Sequence, residues 1–282
     1  MRVRFWGVRG SVPVPNKHML GYGGNTSCVE VTLADGTEII LDAGTGIREL
    51  AAARIPHAST VQILLTHLHL DHIQGLLFFG PFFDPTSEIT VYGPPAPGPN
   101  LDQRLARYLS APLSPVDLRE LPARVEFAPC PHAEWKVGGA RIRAATVAHR
   151  GVTLGYRITE GDTTLCYLPD HEPALGARLA DAESGWISGI GLADGATAVI
   201  HDAQYTDDEY AAHVGWGHSR VSDAVTFAAR ARAQRLILFH HDPSHDDAQL
   251  DELEGAARRS WEEADGDPTT LLMAAEGTTL EL

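Results

Sequence analysis

Thr66-His67-Leu68-His69-Leu70-Asp71-His72 sets four metal-ligand side chains within six positions, 67 to 72. It follows residues 61–65, a mostly apolar run of the kind that forms a buried strand. Side chains two apart at a strand end point the same way, so His67 and His69 can converge in the loop beyond it. Asp71 and His72 are then expected to open the next helix. Neutral imidazoles and carboxylates are ligands that Zn²⁺, Mn²⁺ or Fe accept. The spacing suits two ions, with His67 and His69 on one and Asp71 and His72 on the other.

The surrounding chain limits what such a centre can serve. It has 282 residues, 22 Lys+Arg against 37 Asp+Glu, a formal net charge of −15 and 44% hydrophobic residues. That is the composition of a globular protein with a sizeable core, expected here as one domain over residues 1–282. No stretch approaches the roughly 18–20 apolar residues that span a bilayer. The best candidate, residues 73–83, is broken by Gly75, Gly80 and Pro81. The start, Met1-Arg2-Val3-Arg4-Phe5-Trp6-Gly7, is basic but no apolar segment follows, so no secretory signal and a cytoplasmic location are expected. Cys28, Cys130 and Cys166 are far apart, which suits a reducing compartment and excludes a cysteine zinc knuckle. The acidic balance disfavours a long polyanionic partner but leaves room for a small anion in a metal pocket.

Strands are expected over residues 2–6, 28–33, 37–41, 61–65, 89–92, 141–147, 153–158, 164–168, 198–200 and 236–239. Asp35-Gly36 joins the second and third as a hairpin. Helices are expected over 46–54 (ended by Pro56), from Asn100 to about 109, and over 219–232 and 246–264. Gly93-Pro94-Pro95-Ala96-Pro97-Gly98-Pro99 reads as a rigid surface loop, because proline fixes φ and removes donors. Two strand-rich halves interleaved with helices suggest two packed sheets with helices outside, an α/β fold in four αββα layers.

With these segments placed, the chain resembles the metallo-β-lactamase-fold superfamily, whose signature is H-x-H-x-D-H. The resemblance runs nearly end to end. Leu41-Asp42-Ala43-Gly44 is similar to the family's early D-x-G turn. It implies an αββα sandwich to which each half of the chain gives one sheet. It also implies two divalent ions, zinc ahead of manganese or iron. His67, His69 and His149 would hold one ion, Asp71, His72 and His240 the other, and Asp170 of Leu168-Pro169-Asp170-His171 would bridge them. His240 is preferred to its neighbour His241, which stands as the alternative. Asp170 has a competing reading as a helix N-cap, and His149 as a surface residue. Asp42 is expected to orient a ligand. His18, His57, His132, His213 and His245 are read as surface or structural.

Three further segments look like the tRNase Z-like phosphodiesterase branch. They are Gly7-Val8-Arg9-Gly10-Ser11-Val12-Pro13 with Gly23-Gly24-Asn25-Thr26-Ser27, then Gly217-His218-Ser219, then His201-Asp202-Ala203-Gln204. Gly217-His218-Ser219 is expected to open a helix with Ser219 as its N-cap, and the branch implies that Asp202 and His218 pair near the scissile phosphate. Asp71, His218 and Asp202 are the expected catalytic residues. True tRNA 3′-processing enzymes carry a basic arm. Here residues 170–200 hold Asp181, Glu183 and Asp194 against the single basic Arg178. The resemblance therefore implies hydrolysis of a small, cyclic phosphodiester by a metal-bridging hydroxide. The alternatives are tRNA 3′-processing and lactone or ester hydrolysis on the same core. A homodimer is implied only by the habits of relatives.

Overall fold

Apolar side chains alternate along the strands and so feed three separate cores. A computed structural model describes residues 1–53 and 60–282. Arg54 and Pro56, the expected helix end, and His57 lie outside the described residues. The strands in chain order are β1 (Arg2–Gly7), β2 (Cys28–Thr32), β3 (Glu38–Leu41), β4 (Thr60–Leu64), β5 (Glu88–Gly93), β6 (Arg124–Pro129) and β7 (Trp135–Val137). They continue with β8 (Ala140–Val147), β9 (Thr153–Glu160), β10 (Thr163–Leu168), β11 (Ala198–Asp202), β12 (Leu236–Phe239), β13 (Leu271–Met273) and β14 (Thr279–Glu281). One sheet has the order β14-β1-β2-β3-β4-β5-β6 and the other β13-β12-β11-β10-β9-β8-β7.

Phe5, Val29, Ile39, Leu41 and Leu64 of the first sheet meet Tyr156, Leu165, Tyr167, Ile200 and Phe239 of the second in the central core. Their neighbours on the same strands face outward. Ile40, Ile63 and Val91 pack under α1 (Gly46–Ala53) and the segments that follow β4. Cys166, Val199 and Leu238 pack under helices from the second half of the chain. This period-2 partition gives the four layers expected from the sequence. The division of the chain is less even than expected, because β14 returns from the C-terminus to pair antiparallel with β1 in the first sheet.

The remaining helices are α2 (Leu70–Ile73), α3 (Leu101–Leu105), α4 (Ile190–Ala193), α5 (Asp207–Tyr210), α6 (Val221–Arg230) and α7 (Asp247–Glu263). The helix α3 is shorter than expected. Ser110 Oγ donates back to the Ala106 carbonyl, and residues 106–109 run on as turns. Ser219 is not an N-cap: α6 begins at Val221 with Arg220 at that position, and Ser219 Oγ donates to the His171 carbonyl instead. Among the described residues, no helix is long and apolar enough to cross a membrane.

From β3 to β6 and from β10 to β13 the neighbouring strands are parallel. The carboxyl ends of β3, β4, β10, β11 and β12 therefore deliver Asp42, His67, Asp170, Asp202 and His240 to one edge of the sandwich, the edge where open α/β sheets bind ligands.

Candidate metal centre

Asp42, just beyond β3, organises the first arm of the centre. It accepts from the Thr66 amide at 2.7 Å, from Thr66 Oγ1 and from the Tyr167 hydroxyl at 3.0 Å. It also accepts from His72 Nδ1 at 2.8 Å, which leaves His72 Nε2 facing the cluster. Thr66 Oγ1 in turn lies 3.0 Å from His67 Nδ1, turning the other ring nitrogen inward. Asp42 thus orients the ring of His72, as expected of it, and reaches His67 through Thr66.

Two groups of potential ligands result, His67, His69, His149 and Asp170, and Asp71, His72, Asp170 and His240, with ligand atoms within 4.8 Å of one another. Asp170 belongs to both. Its Oδ2 lies 3.7 Å from His67 Nε2 and 3.6 Å from His149 Nε2, while its Oδ1 lies 3.0 Å from His72 Nε2 and 3.3 Å from His240 Nε2. Asp71 Oδ2 is 3.3 Å from His240 Nε2 and accepts from the Ser11 amide at 2.8 Å. Asp170 caps no helix here. Of the adjacent pair at the end of β12, His240 faces the cluster. His241 turns away, is buried, and donates to the Ala274 carbonyl at 2.7 Å.

The arrangement fits divalent ions on two physical grounds. His67 Nε2 is buried with no hydrogen-bond partner, and His72 Nε2 and Asp170 Oδ1, though 3.0 Å apart, make no aligned hydrogen bond, a condition native proteins rarely tolerate without an ion or water. His69 Nδ1 and His149 Nε2 also converge to 3.3 Å. Burial, reinforced by the imidazole of His72, holds His67 well below the ordinary imidazole range. Burial likewise lowers His69 and His149. A neutral imidazole is the form that ligates. Burial opposes a charge on His72, but Asp170, Asp71 and Asp42 outweigh it and keep this ring protonated until a cation replaces the proton.

Beside the cluster, His218 Nδ1 donates to Asp202 Oδ2 at 2.7 Å. The ring stacks on His240 and meets His149 edge-on. Asp202, His218 and His240 form a third group within ligand distance. His218 there is already bonded to Asp202, and Gln204 Oε1 lies 3.0 Å from His240 Nδ1.

The glycine-rich segments abut this edge. A Cβ on Gly10 would stand 2.5 Å from the His240 ring. Gly217 has φ +93°, and a Cβ there would stand 2.4 Å from His149 Nδ1, which donates to the Gly217 carbonyl at 2.7 Å. These glycines admit the site's own imidazoles as well as any bound group. Buried Arg9 ties the segment down by donating to the carbonyls of Gly23, Asp242 and His245. Sequence reasoning missed Glu172. It is buried and accepts from the Gly215 and Gly217 amides and from Tyr210, fixing the turn that presents His149 and His218. The run Pro169-Asp170-His171-Glu172 at the exit of a buried strand was its only sequence signal.

Comparison with known proteins agrees with this architecture. A profile for the beta-lactamase superfamily domain matches residues 37–241. Ribonuclease Z of Mycobacterium sp. (strain KMS) is 29% identical over 237 residues, covering 74% of this chain and 76% of its own length. The metallo-beta-lactamase fold protein YhfI from Bacillus subtilis superposes with a TM-score of 0.71 at 19% identity over 99% of both chains. Human tRNase Z, short form, superposes with a TM-score of 0.68 at 22% identity over 100% of this chain and 99% of its own.

Proposed function

Because the chain belongs to the beta-lactamase superfamily, we propose that it is a metal-dependent hydrolase of small, cyclic phosphodiesters in the tRNase Z-like branch. The observation that carries the reading is the Asp202–His218 pair, 2.7 Å apart, set against two ligand groups that share Asp170. His67, His69, His149 and Asp170 hold one divalent ion in this reading. Asp71, His72, His240 and Asp170 hold the other, and zinc, manganese and iron all suit such nitrogen and oxygen donors. Such ions, when bound, supply a nucleophilic hydroxide at neutral pH and Lewis-acid stabilisation of a phosphate.

The chain's own residues do the rest. Asp71, held by the Ser11 amide, faces His240 across the centre. Asp202 accepts from His218 Nδ1 and from the amides of Gln204 and Ser219, so its carboxylate is fixed. Burial disfavours a charge on His218, but Asp202 outweighs it and raises the imidazole to about 9. His218 therefore carries a proton at neutral pH and can give it from Nε2 to the departing oxygen.

The relatives named ribonuclease Z favour tRNA 3′-processing as the second reading. Residues 170–200 count against it, being acidic and folded onto the second sheet through Leu179, Ile187 and Leu192 rather than extended. Ester or lactone hydrolysis on the same core does not call for the Asp202–His218 pair. The test is turnover by metal-replete protein of bis(p-nitrophenyl) phosphate, 2′,3′- and 3′,5′-cyclic nucleotides, pre-tRNA and a lactone panel. Diester turnover with inert lactones is expected. Lactone turnover with inert diesters would overturn the reading.

A further inference from the structure

Two cavities open beside the centre and meet at one arginine. The nearer, about 240 Å³, is lined by His67, His69, Pro94, Arg104 and Arg150. The farther, about 500 Å³, is lined by Pro95, Pro99, Arg104, Phe127 and His132. Ala96 and Arg104 line both, so the two adjoin at a shared wall, and the pair of them is the groove beside the ligand cluster. The Gly93-to-Pro99 segment, read from sequence only as a rigid loop, is a wall of that groove.

The groove's charge runs against the molecule's. Net charge is −15, yet two arginines line the stretch next to the centre. Neither is paired with a carboxylate among the described residues. Arg104 is anchored by donating from Nη2 to the Pro94 carbonyl at 2.6 Å, and its buried Nε has no partner. Arg150 is anchored by donating from Nε to the Gly215 carbonyl at 3.2 Å, and its guanidinium stands 5.8 Å from the Trp216 ring. Each anchor uses one N–H and leaves others free for the forked contact that suits a phosphate. Beyond Arg104 the walls are proline rings, Phe127 and His132, surfaces suited to a flat apolar group.

Resting on the phosphodiesterase reading, we infer that this groove holds the non-reacting part of the substrate, a nucleotide carrying a second phosphate. Arg104 and Arg150 grip that phosphate, and the proline-walled cavity takes the base. Three substrates with one leaving group test this: bis(p-nitrophenyl) phosphate, thymidine 5′-(p-nitrophenyl phosphate), and the latter with a 3′-phosphate. Charge-assisted contacts to the added phosphate should raise kcat/KM about tenfold to a hundredfold over the unphosphorylated nucleoside, mostly through KM. Arg104→Met and Arg150→Met, which keep most of the apolar stem, should each pull that ratio towards one. A ratio near one in the unmodified protein, or one that survives both substitutions, would overturn the inference.

Binding of thymidine 3′,5′-bisphosphate to metal-free protein, followed by calorimetry, separates the groove from the chemistry. If neither the three diesters nor the cyclic nucleotides turn over but the bisphosphate binds and both substitutions weaken it, the groove stands and the phosphodiesterase reading fails. If the bisphosphate binds equally to all three proteins, the groove assignment fails whatever turns over.

Discussion

His218 shows how much one side chain depends on what surrounds it. Its neighbours His149 and His240 are themselves candidate ligands, so a positive charge here is costly unless a carboxylate answers it. Asp202 does so at 2.7 Å, with Asp170 at 3.9 Å adding to the field. An imidazole raised to about 9 is a weak acid but a fully protonated one at neutral pH. Its value then rests on how badly the leaving group needs a proton. His218→Ala should cost roughly 10²–10⁴-fold on diesters with poor, alkoxide-type leaving groups. Nitrophenyl diesters, whose leaving group departs as a stable anion, should lose far less, and metal content by elemental analysis should match the unmodified protein. Equal losses on both substrate types would assign His218 to phosphate binding. The side chains that fix these groups were the least legible in the sequence. Gln204 beside His240 and Glu172 beneath the 215–218 turn act across 36 and 45 positions, so no local spacing betrays them. The ligand types of the 67–72 cluster stood together in the sequence because a single strand exit supplies them.

At the level of elements, a regularity separates what could be read from what could not. The strands that sequence patterning missed are β6, β7, β13 and β14, and these are the four edges of the two sheets. Most interior strands are covered on both faces and show as apolar runs, and the half-exposed β8 shows instead as a long alternation of apolar and polar residues. Edge strands here are short or half-exposed, as in Arg-Val-Glu-Phe-Ala-Pro of β6 or the three residues of β7, and carry little signal. The legible β10 and β11 hold a further consequence at their carboxyl ends. His171 Nδ1 and His201 Nε2 lie 3.0 Å apart in full burial, and His201 Nδ1 donates to the Asp202 carbonyl at 2.7 Å. Burial lowers His201 to about 4 and His171 well below its ordinary range. Unfolded, both take up protons near pH 6.5. Between about pH 6.5 and 4 the unfolded chain therefore binds more protons, and stability must fall as pH falls. The groups held above their ordinary range, His72 and His218, are protonated in both states across that window and lose their contribution only at higher pH. The urea midpoint of metal-free protein should drop across this window, with His201 alone accounting for on the order of 3 kcal/mol. His201→Asn, which keeps a donor towards the Asp202 carbonyl, should flatten the slope. A midpoint flat from pH 6.5 to 4 would show that the pair is not held neutral by the fold.

Over the whole molecule, charge and local geometry pull in opposite directions, and that contrast bears on substrate size. A net charge of −15 repels a polyanion that comes within the screening length, about 8 Å at physiological ionic strength, and reaches farther only at low salt. Within the groove, Arg104 and Arg150 provide two cations at close range. A small diester meets only the local field, so its KM should change little from low to physiological salt. An extended RNA needs many phosphates neutralised at once, and each neutralised phosphate adds roughly −0.7 to the slope of log affinity against log salt for single strands. Here residues 170–200 offer Arg178 against Asp181, Glu183 and Asp194, and they lie packed on the second sheet. Any weak RNA binding should accordingly improve or stay flat as salt screens the repulsion, the reverse of the usual trend. Measuring kcat/KM for a cyclic nucleotide and for a pre-tRNA across a salt series decides between the two. A flat profile for the cyclic substrate with poor pre-tRNA cleavage at every salt concentration is expected. Efficient 3′-end cleavage that falls steeply with added salt would mean that a basic track for RNA exists on this surface, and it would put tRNA processing ahead of small-diester hydrolysis.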